Sequence, residues 1–489
     1  MKKLLNVTYF LLITILLSQC SNEYQLPDNL VVKDFVWKGL NAYYLYQEEI
    51  ADLSDRRFSS DQELNTYLSN STDYNSLFNS LLIPLDVKSS LLEDYNALNF
   101  SVPRSGFING LEFGVFKEQD SDTVIAYAID VLPLSYATTQ AISRGDYFYA
   151  VVNQENDTIH LLETNYEDVL INYSQDTLQL VKSNYDGIDL IKSTETVKLV
   201  KENYTYPKVN LKKIFSIGAK NIGYLMYHND FSESSINSLN ETFLSLKNQD
   251  ISKLILDLRY NIGGGSNAKS VANLASMITG QFTNEIFIKE QWNSKAQTWF
   301  ESNQPDSLIT RFPMRLNTNT SFNSLNLTDI YIVLNGNDYT SSSTIELLIN
   351  SLKPYIKVHI IGKNTAGNNT GTITLYNSDD YNFPLRNESH TLALQPIVLS
   401  FLNKNDQTYD AGFIPDIFLC SNEDILELGV LGERTDPLLK RVLEYVTSGN
   451  IGVSTMCNPN EYLFLYHSIN NQRLPDKGVF LEQNLPNTN

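Results

Sequence analysis

The sequence predicts an α/β domain in its second half, preceded by a small helical region and a mainly β module. Three observations carry this reading. Tyr331–Tyr376 runs as buried strand, polar turn, amphipathic helix, second strand and glycine-bearing loop. Within it, Ile345, Leu348, Ile349 and Leu352 keep the i, i+3, i+4, i+7 spacing of a helix, Pro354 stops it, and Val358–Ile361 resumes a strand. Leu254–Gly265 (LILDLRYNIGGG) is an apolar run ending in a glycine turn, with helical patterning following over Ala268–Ile278. Between Asn109 and Ser193, by contrast, short β-type runs prevail.

The chain has 489 residues, 42% of them hydrophobic, enough for about three or four domains with sizeable cores. A formal charge of −20 and a pI near 4.7 exclude nucleic acid as a partner and imply a well-solvated acidic surface. Two lysines open the sequence, and the apolar run Val7–Leu17 is too short to span a bilayer. It ends in Leu17-Ser18-Gln19-Cys20, which fits a bacterial lipobox. On this reading residues 1–19 are a removed signal, Cys20 carries the lipid, and the protein sits in the cell envelope, at the outer membrane. An ordinary secretory signal is the other reading. No other segment is apolar and long enough to cross a membrane.

Residues 20–31 read as a polar tether and residues 32–105 as a helical domain. Its first helix is rich in aromatics (Phe35, Trp37, Tyr43, Tyr44, Tyr46), which are assigned to core packing. Residues 106–193 form the β module, and Thr194–Ser216 a charged, threonine-rich connector. The α/β domain spans residues 205–445. Asn221–Tyr227 opens it as a strand, Ala393–Ser400 and Phe413–Ile417 are later segments, and Asp436 begins a closing helix. Residues 446–489 are a polar tail without an assigned place. Cys457 in that tail could pair with Cys420 in an oxidising compartment, and the sequence alone leaves this open.

Ser341–Ser343 stand at a helix N-terminus, where free N–H groups and the helix dipole stabilise a developing oxyanion. A serine hydroxyl there is a candidate nucleophile. The alternative is that Thr340–Thr344 only cap the helix. Glycines at the end of the preceding strand let a backbone N–H approach a substrate closely.

Together, DLRYNIGG at 257–264 and TSSSTIELLINSLKP at 340–354 resemble the tail-specific (C-terminal processing) serine peptidases, in particular their lipoprotein branch. The resemblance implies an α/β catalytic domain with crotonase/ClpP-like β-α layers, a small helical N-terminal domain and a mainly β PDZ-like domain. The pattern S/T-x-Ser-x-x-Glu, aligned on Glu346, makes Ser343 the nucleophile, with Ser342 and Ser341 as register alternatives. The backbone N–H groups of Gly263 or Gly264 and of Thr344 would hold the oxyanion. Gly110-Leu111-Glu112-Phe113 is similar to the carboxylate-binding loop of a PDZ domain, and Ser143-Arg144-Gly145-Asp146 to a later stretch of that module. Such a groove binds peptide or protein C-termini by strand addition. A groove that merely packs against the catalytic domain is the alternative.

One departure stands out. The family's general base is a lysine in a loop of the form T-x-G-K-N-x-G, and here that position is Asn368. A serine hydroxyl needs a base, a lysine serves when burial lowers its pKa, and an asparagine amide cannot accept the proton. His228, following a strand, or Lys363 could replace it. The five histidines are scattered, without HExxH or CxxC, so neither a metal nor a cofactor is implied. The resemblance thus implies a cell-envelope serine peptidase cleaving polypeptides near their C-termini, weakened at Asn368. The alternative is an inactive, peptide-binding lipoprotein.

Overall fold

The computed structural model describes residues 26–96, 105–118, 120–186, 189–229, 231, 233–261, 267–317, 319–334, 343–418, 425, 428–450, 462–471 and 479–480. Cys20, Cys420, Cys457, Ser341, Ser342, Gly263 and Gly264 lie outside them. No helix of the described residues is long and apolar enough to cross a membrane.

Three helices open the fold: α1 (Val31–Tyr43), α2 (Asp61–Ser69) and α3 (Tyr74–Ser80). The Ser60 hydroxyl accepts the Glu63 N–H, and the Glu63 carboxylate reaches back to the Ser59 N–H at 2.8 Å, so α2 starts with reciprocal capping. The aromatics Phe35, Tyr43 and Tyr44 are buried, in line with core packing. This region is not a separate body. Ser90–Leu92, expected within the helical region, is a strand paired antiparallel with Ala393–Gln395, and Asn293 donates to the carbonyls of Ala42 and Tyr44.

A seven-stranded antiparallel sheet follows, built on β1 (Leu111–Glu118), β2 (Val124–Val131), β3 (Tyr147–Val152), β4 (Thr177–Tyr185) and β5 (Leu190–Val200), with Thr158–His160 beside β3. β2 reads VIAYAI because both its faces are buried. Val124, Ala126 and Ala128 enter the module's own core, whereas Ile125, Tyr127 and Ile129 face the α/β domain. The stretch expected as a connector is strand instead: β5 runs through residue 200, Glu202–Thr205 pairs with Ser105–Ile108, and β6 (Leu211–Ile217) follows. The threonines and lysines of that stretch alternate with Val197 and Leu199, which are buried, as on a strand with one wet face.

The α/β domain centres on a six-stranded sheet, in order β6, β7 (Lys220–Met226), β8 (Ile251–Asp257), β9 (Asp329–Leu334), β10 (Lys357–Gly362) and β11 (Ile417–Phe418). Only the β6–β7 pair is antiparallel. Side chains alternate between two cores. Leu254, Leu256, Ile330 and Ile332 face α4 (Glu233–Lys247), α5 (Ala268–Thr279), α6 (Ser343–Leu352) and a second, five-stranded sheet. Tyr224, Ile255, Tyr331 and Val333 face α7 (Pro437–Ser448) and the β module. Ala393–Ser400 is split at Pro396 into Ala393–Gln395 and Ile397–Leu402, since proline cannot donate to a ladder. Of Phe413–Ile417, only Ile417 is strand.

The tail gains a place. Its strand β12 (Tyr462–His467) adds antiparallel to β1 at the open edge of the β-module sheet, and Val479–Phe480 pairs with Thr370–Thr372.

Candidate active site

Four loops leave the six-stranded sheet at the C-terminal end of its parallel strands. Met226, Asp257 and Val333 are register partners across β7, β8 and β9, as are Leu334 and Gly362 across β9 and β10. The segments after these residues carry His228, Tyr260–Asn261, Ser343 and Lys363 respectively. The C-terminal ends of parallel strands are where α/β sheets place their chemistry.

Ser343 is the first residue of α6 and is fully buried, as are Thr344 and Glu346 on the same helix. One turn along, the Glu346 carboxylate accepts the N–H groups of Gly367, at 2.7 Å, and Asn368, at 2.6 Å. Burial pushes the Glu346 carboxyl up, opposed by hydrogen bonds from Thr365, Gly367 and Asn368. The nucleophile helix and the loop carrying the base position are therefore fastened to each other. From the other side, Thr365 exchanges two hydrogen bonds with the Phe413 backbone, and Asn369 donates to Asp410 at 2.9 Å. Gly367 sits at φ +84° with the Asp410 carbonyl 2.2 Å from where a Cβ would stand, so only glycine fits this turn.

The end of β8 is held by charge. Arg259, 3% exposed, spans Asp257 and Asp436, and Tyr224 donates to Asp257 at 2.8 Å. Asp436 in turn caps α7 through the N–H groups of Leu438 and Leu439. The two flanking carboxylates hold the Arg259 guanidinium well above its ordinary pKa, against the effect of burial. Asn261 donates to the carbonyls of Tyr227 and Asn229, joining the ends of β7 and β8. Sequence reading took this stretch for its glycines and passed over Arg259 and Asn261. The signal was an Asp-Leu-Arg closing an apolar strand, where charge is costly unless paired.

Of the two substitute bases, His228 is buried with its ring edge on Tyr260. Its backbone N–H donates to Asn210 Oδ1 at 2.8 Å, so Asn210 Nδ2 is the atom facing His228 Nδ1 at 2.9 Å, and it must donate. Lys363 is half-buried immediately after β10. Of the module's loop, Leu111, Glu112 and Phe113 lie in β1, and the Phe113 N–H donates to Ser468 Oγ at 2.9 Å. Among the described residues no group of His, Cys, Asp and Glu could hold a metal ion.

Comparison with known proteins follows the same division. Residues 221–417 match the family model of peptidase family S41, and residues 31–102 match that of the peptidase S41 N-terminal domain, together just over half of the chain. A solved Bacteroides fragilis NCTC 9343 structure assigned to the S41 proteases superposes with a TM-score of 0.61 at 19% identity, covering 87% of this chain and 98% of that one. At this identity the likeness shows the fold alone. The photosystem II D1 C-terminal processing protease gives a TM-score of 0.44 at 16% identity, covering 81% and 94% of the two chains. Mature CPAF gives 0.42 at 14%, covering 86% and 98%. No curated protein sequence matches the chain.

Proposed function

Because the chain belongs to peptidase family S41, we propose that it is a serine-type peptidase of the cell envelope that cleaves polypeptides near their C-termini, slowed by the amide at position 368. Ser343 Oγ bonds to the peptide carbonyl carbon as its proton passes through water to the departing amine, and the scissile C–N bond breaks to release the C-terminal fragment. The backbone N–H groups of Thr344 and of Gly263 or Gly264 hold the oxyanion, and water then hydrolyses the acyl-enzyme. The observation that carries this reading is the Glu346 bridge, which keeps α6 and the Asn368 loop in one fixed relation. The two main sheets and the helices between them are read as the crotonase/ClpP-like layers.

The test is acylation of the full chain by a serine-reactive probe, followed by mass spectrometry. A single adduct in the wild type that is absent from Ser343→Ala supports the assignment. An adduct retained in Ser343→Ala refutes it.

The second reading is an inactive peptide-binding protein. One observation favours it: Ser343 is fully buried. A lipid on Cys20 as membrane anchor belongs to both readings. So does a PDZ-like role for residues 106–193, supported by their mainly β content and the one helical turn Glu167–Ile171.

A further inference from the structure

Seen as a peptide-binding module, the β sheet already holds a ligand, and the ligand is this chain. β12 lies antiparallel along β1, from Tyr462 opposite Glu118 to His467 opposite Gly114, so its C-terminal end points at Gly110–Phe113, where β1 begins. That is the direction in which a peptide C-terminus would approach by strand addition. Leu465 and Tyr466 pack on the same apolar core as Val169 and Ile171 of the helical turn, so β12 covers part of that core as well as the sheet edge.

What meets the start of β1 at the end of this strand is a hydroxyl. Ser468 Oγ accepts the Phe113 N–H at 2.9 Å, the bond a terminal carboxylate would otherwise take. The same hydroxyl donates to Glu112 Oε2 at 2.5 Å, and Glu112 is only 3% exposed. A carboxylate in place of Ser468 Oγ would face the Glu112 carboxylate at hydrogen-bond distance, and two such groups cannot both stay ionised. Asp130, register partner of Glu112 on β2, adds further negative charge. Arg144, beside Asp130, donates to the Ile129 and Leu428 carbonyls and to the Tyr260 hydroxyl. His467 lies against Tyr260.

We propose that the β1 edge is a binding site for internal strand segments followed by a hydroxyl residue, that Tyr462–Ser468 is its built-in occupant, and that Glu112 excludes free C-terminal carboxylates. This rests on reading the module as peptide-binding, and it is independent of whether Ser343 is active.

The test uses the full chain carrying Leu465→Asp and Tyr466→Asp, which places two charges against that apolar core and releases β12 while leaving β1 intact. Two labelled peptides are titrated by fluorescence anisotropy: YLFLYHS with an amidated end, and YLFLYH with a free carboxylate. The amidated serine peptide is expected to bind at least about tenfold more tightly, and Glu112→Gln added to the same chain should narrow that gap. Wild type should bind both more weakly than the released variant. Equal or tighter binding of the carboxylate peptide overturns the specificity. Wild-type binding as tight as that of the released variant overturns the built-in occupant. Binding of neither peptide by the released variant overturns the module reading beneath both. Hydrogen exchange on wild type covers the case in which the double variant does not fold. The amides of residues 462–467 should be protected and should lose protection in Ser468→Ala, and full exchange in wild type defeats the proposal.

Discussion

Glu346 and Asn368 are joined by a carboxylate-to-backbone hydrogen bond of 2.6 Å, which fixes the loop at the base position to the helix that begins with Ser343. The same carboxylate also serves Gly367. Glu346→Gln leaves one oxygen for two N–H groups and turns an amide donor toward the other. A buried donor left without an acceptor costs about 1–3 kcal/mol. The variant should unfold at a lower temperature than wild type in calorimetry. An unchanged transition would mean that the bridge contributes little.

Asn368→Lys tests the chemistry at the other end of this bridge. General-base loss typically costs on the order of 10² to 10⁴ in rate, so restoring an amine at position 368 should raise peptide hydrolysis by a measurable part of that. The gain requires the new amine to be desolvated enough to lose its proton near neutral pH. It should vanish in the Asn368→Lys, Ser343→Ala double variant. A vigorous wild-type rate abolished by Lys363→Ala would instead show that the base has moved.

The Arg259 ion triad supplies a third test. Asp436→Asn keeps a good helix cap for α7 and removes one of the two charges on a buried guanidinium. Breaking a buried pair costs about 3–5 kcal/mol, and Asp257 should hold the effect at the lower end. The expected result is a marked fall in the urea midpoint with helix content retained in the native state. A midpoint within error of wild type would show that Asp257 alone satisfies Arg259.

What the sequence made legible was local. The α6 helix, its stop at Pro354 and the flanking strands β9 and β10 follow from periodicity that the fold keeps. The distant partnerships carried no such signal. Asp436 is 177 residues from Arg259, and Ser468 is 355 residues from Phe113. The six residues YLFLYH are β-forming by composition, so β12 could have been read as a strand. Nothing local says that its partner is β1. The stretch 194–216 misled because charged side chains on the wet face of an edge strand look like a linker. Side-chain partnerships lie beyond sequence as well: nothing local to His228 says that Asn210 faces its Nδ1 across 2.9 Å.

Asp130 gives a pH-dependent prediction. Burial, reinforced by Glu112 and opposed by Arg144, pushes its carboxyl up from 3.8 to about 6. The folded protein therefore holds this proton more tightly than the unfolded chain does. Its contribution to stability is fully present below pH 3.8 and is lost as pH rises through about 6. Above that, the ionised group costs of the order of 1–3 kcal/mol, allowing for solvent screening. Asp130→Asn keeps an oxygen for the Val131 N–H, which Asp130 accepts at 2.9 Å, and cannot ionise. Relative to wild type, the variant should be more stable at pH 7–8, with the advantage shrinking as pH falls toward 4. Thermal unfolding of both proteins across this range measures the difference directly. A difference constant with pH would show that Asp130 ionises in the native module as readily as in water.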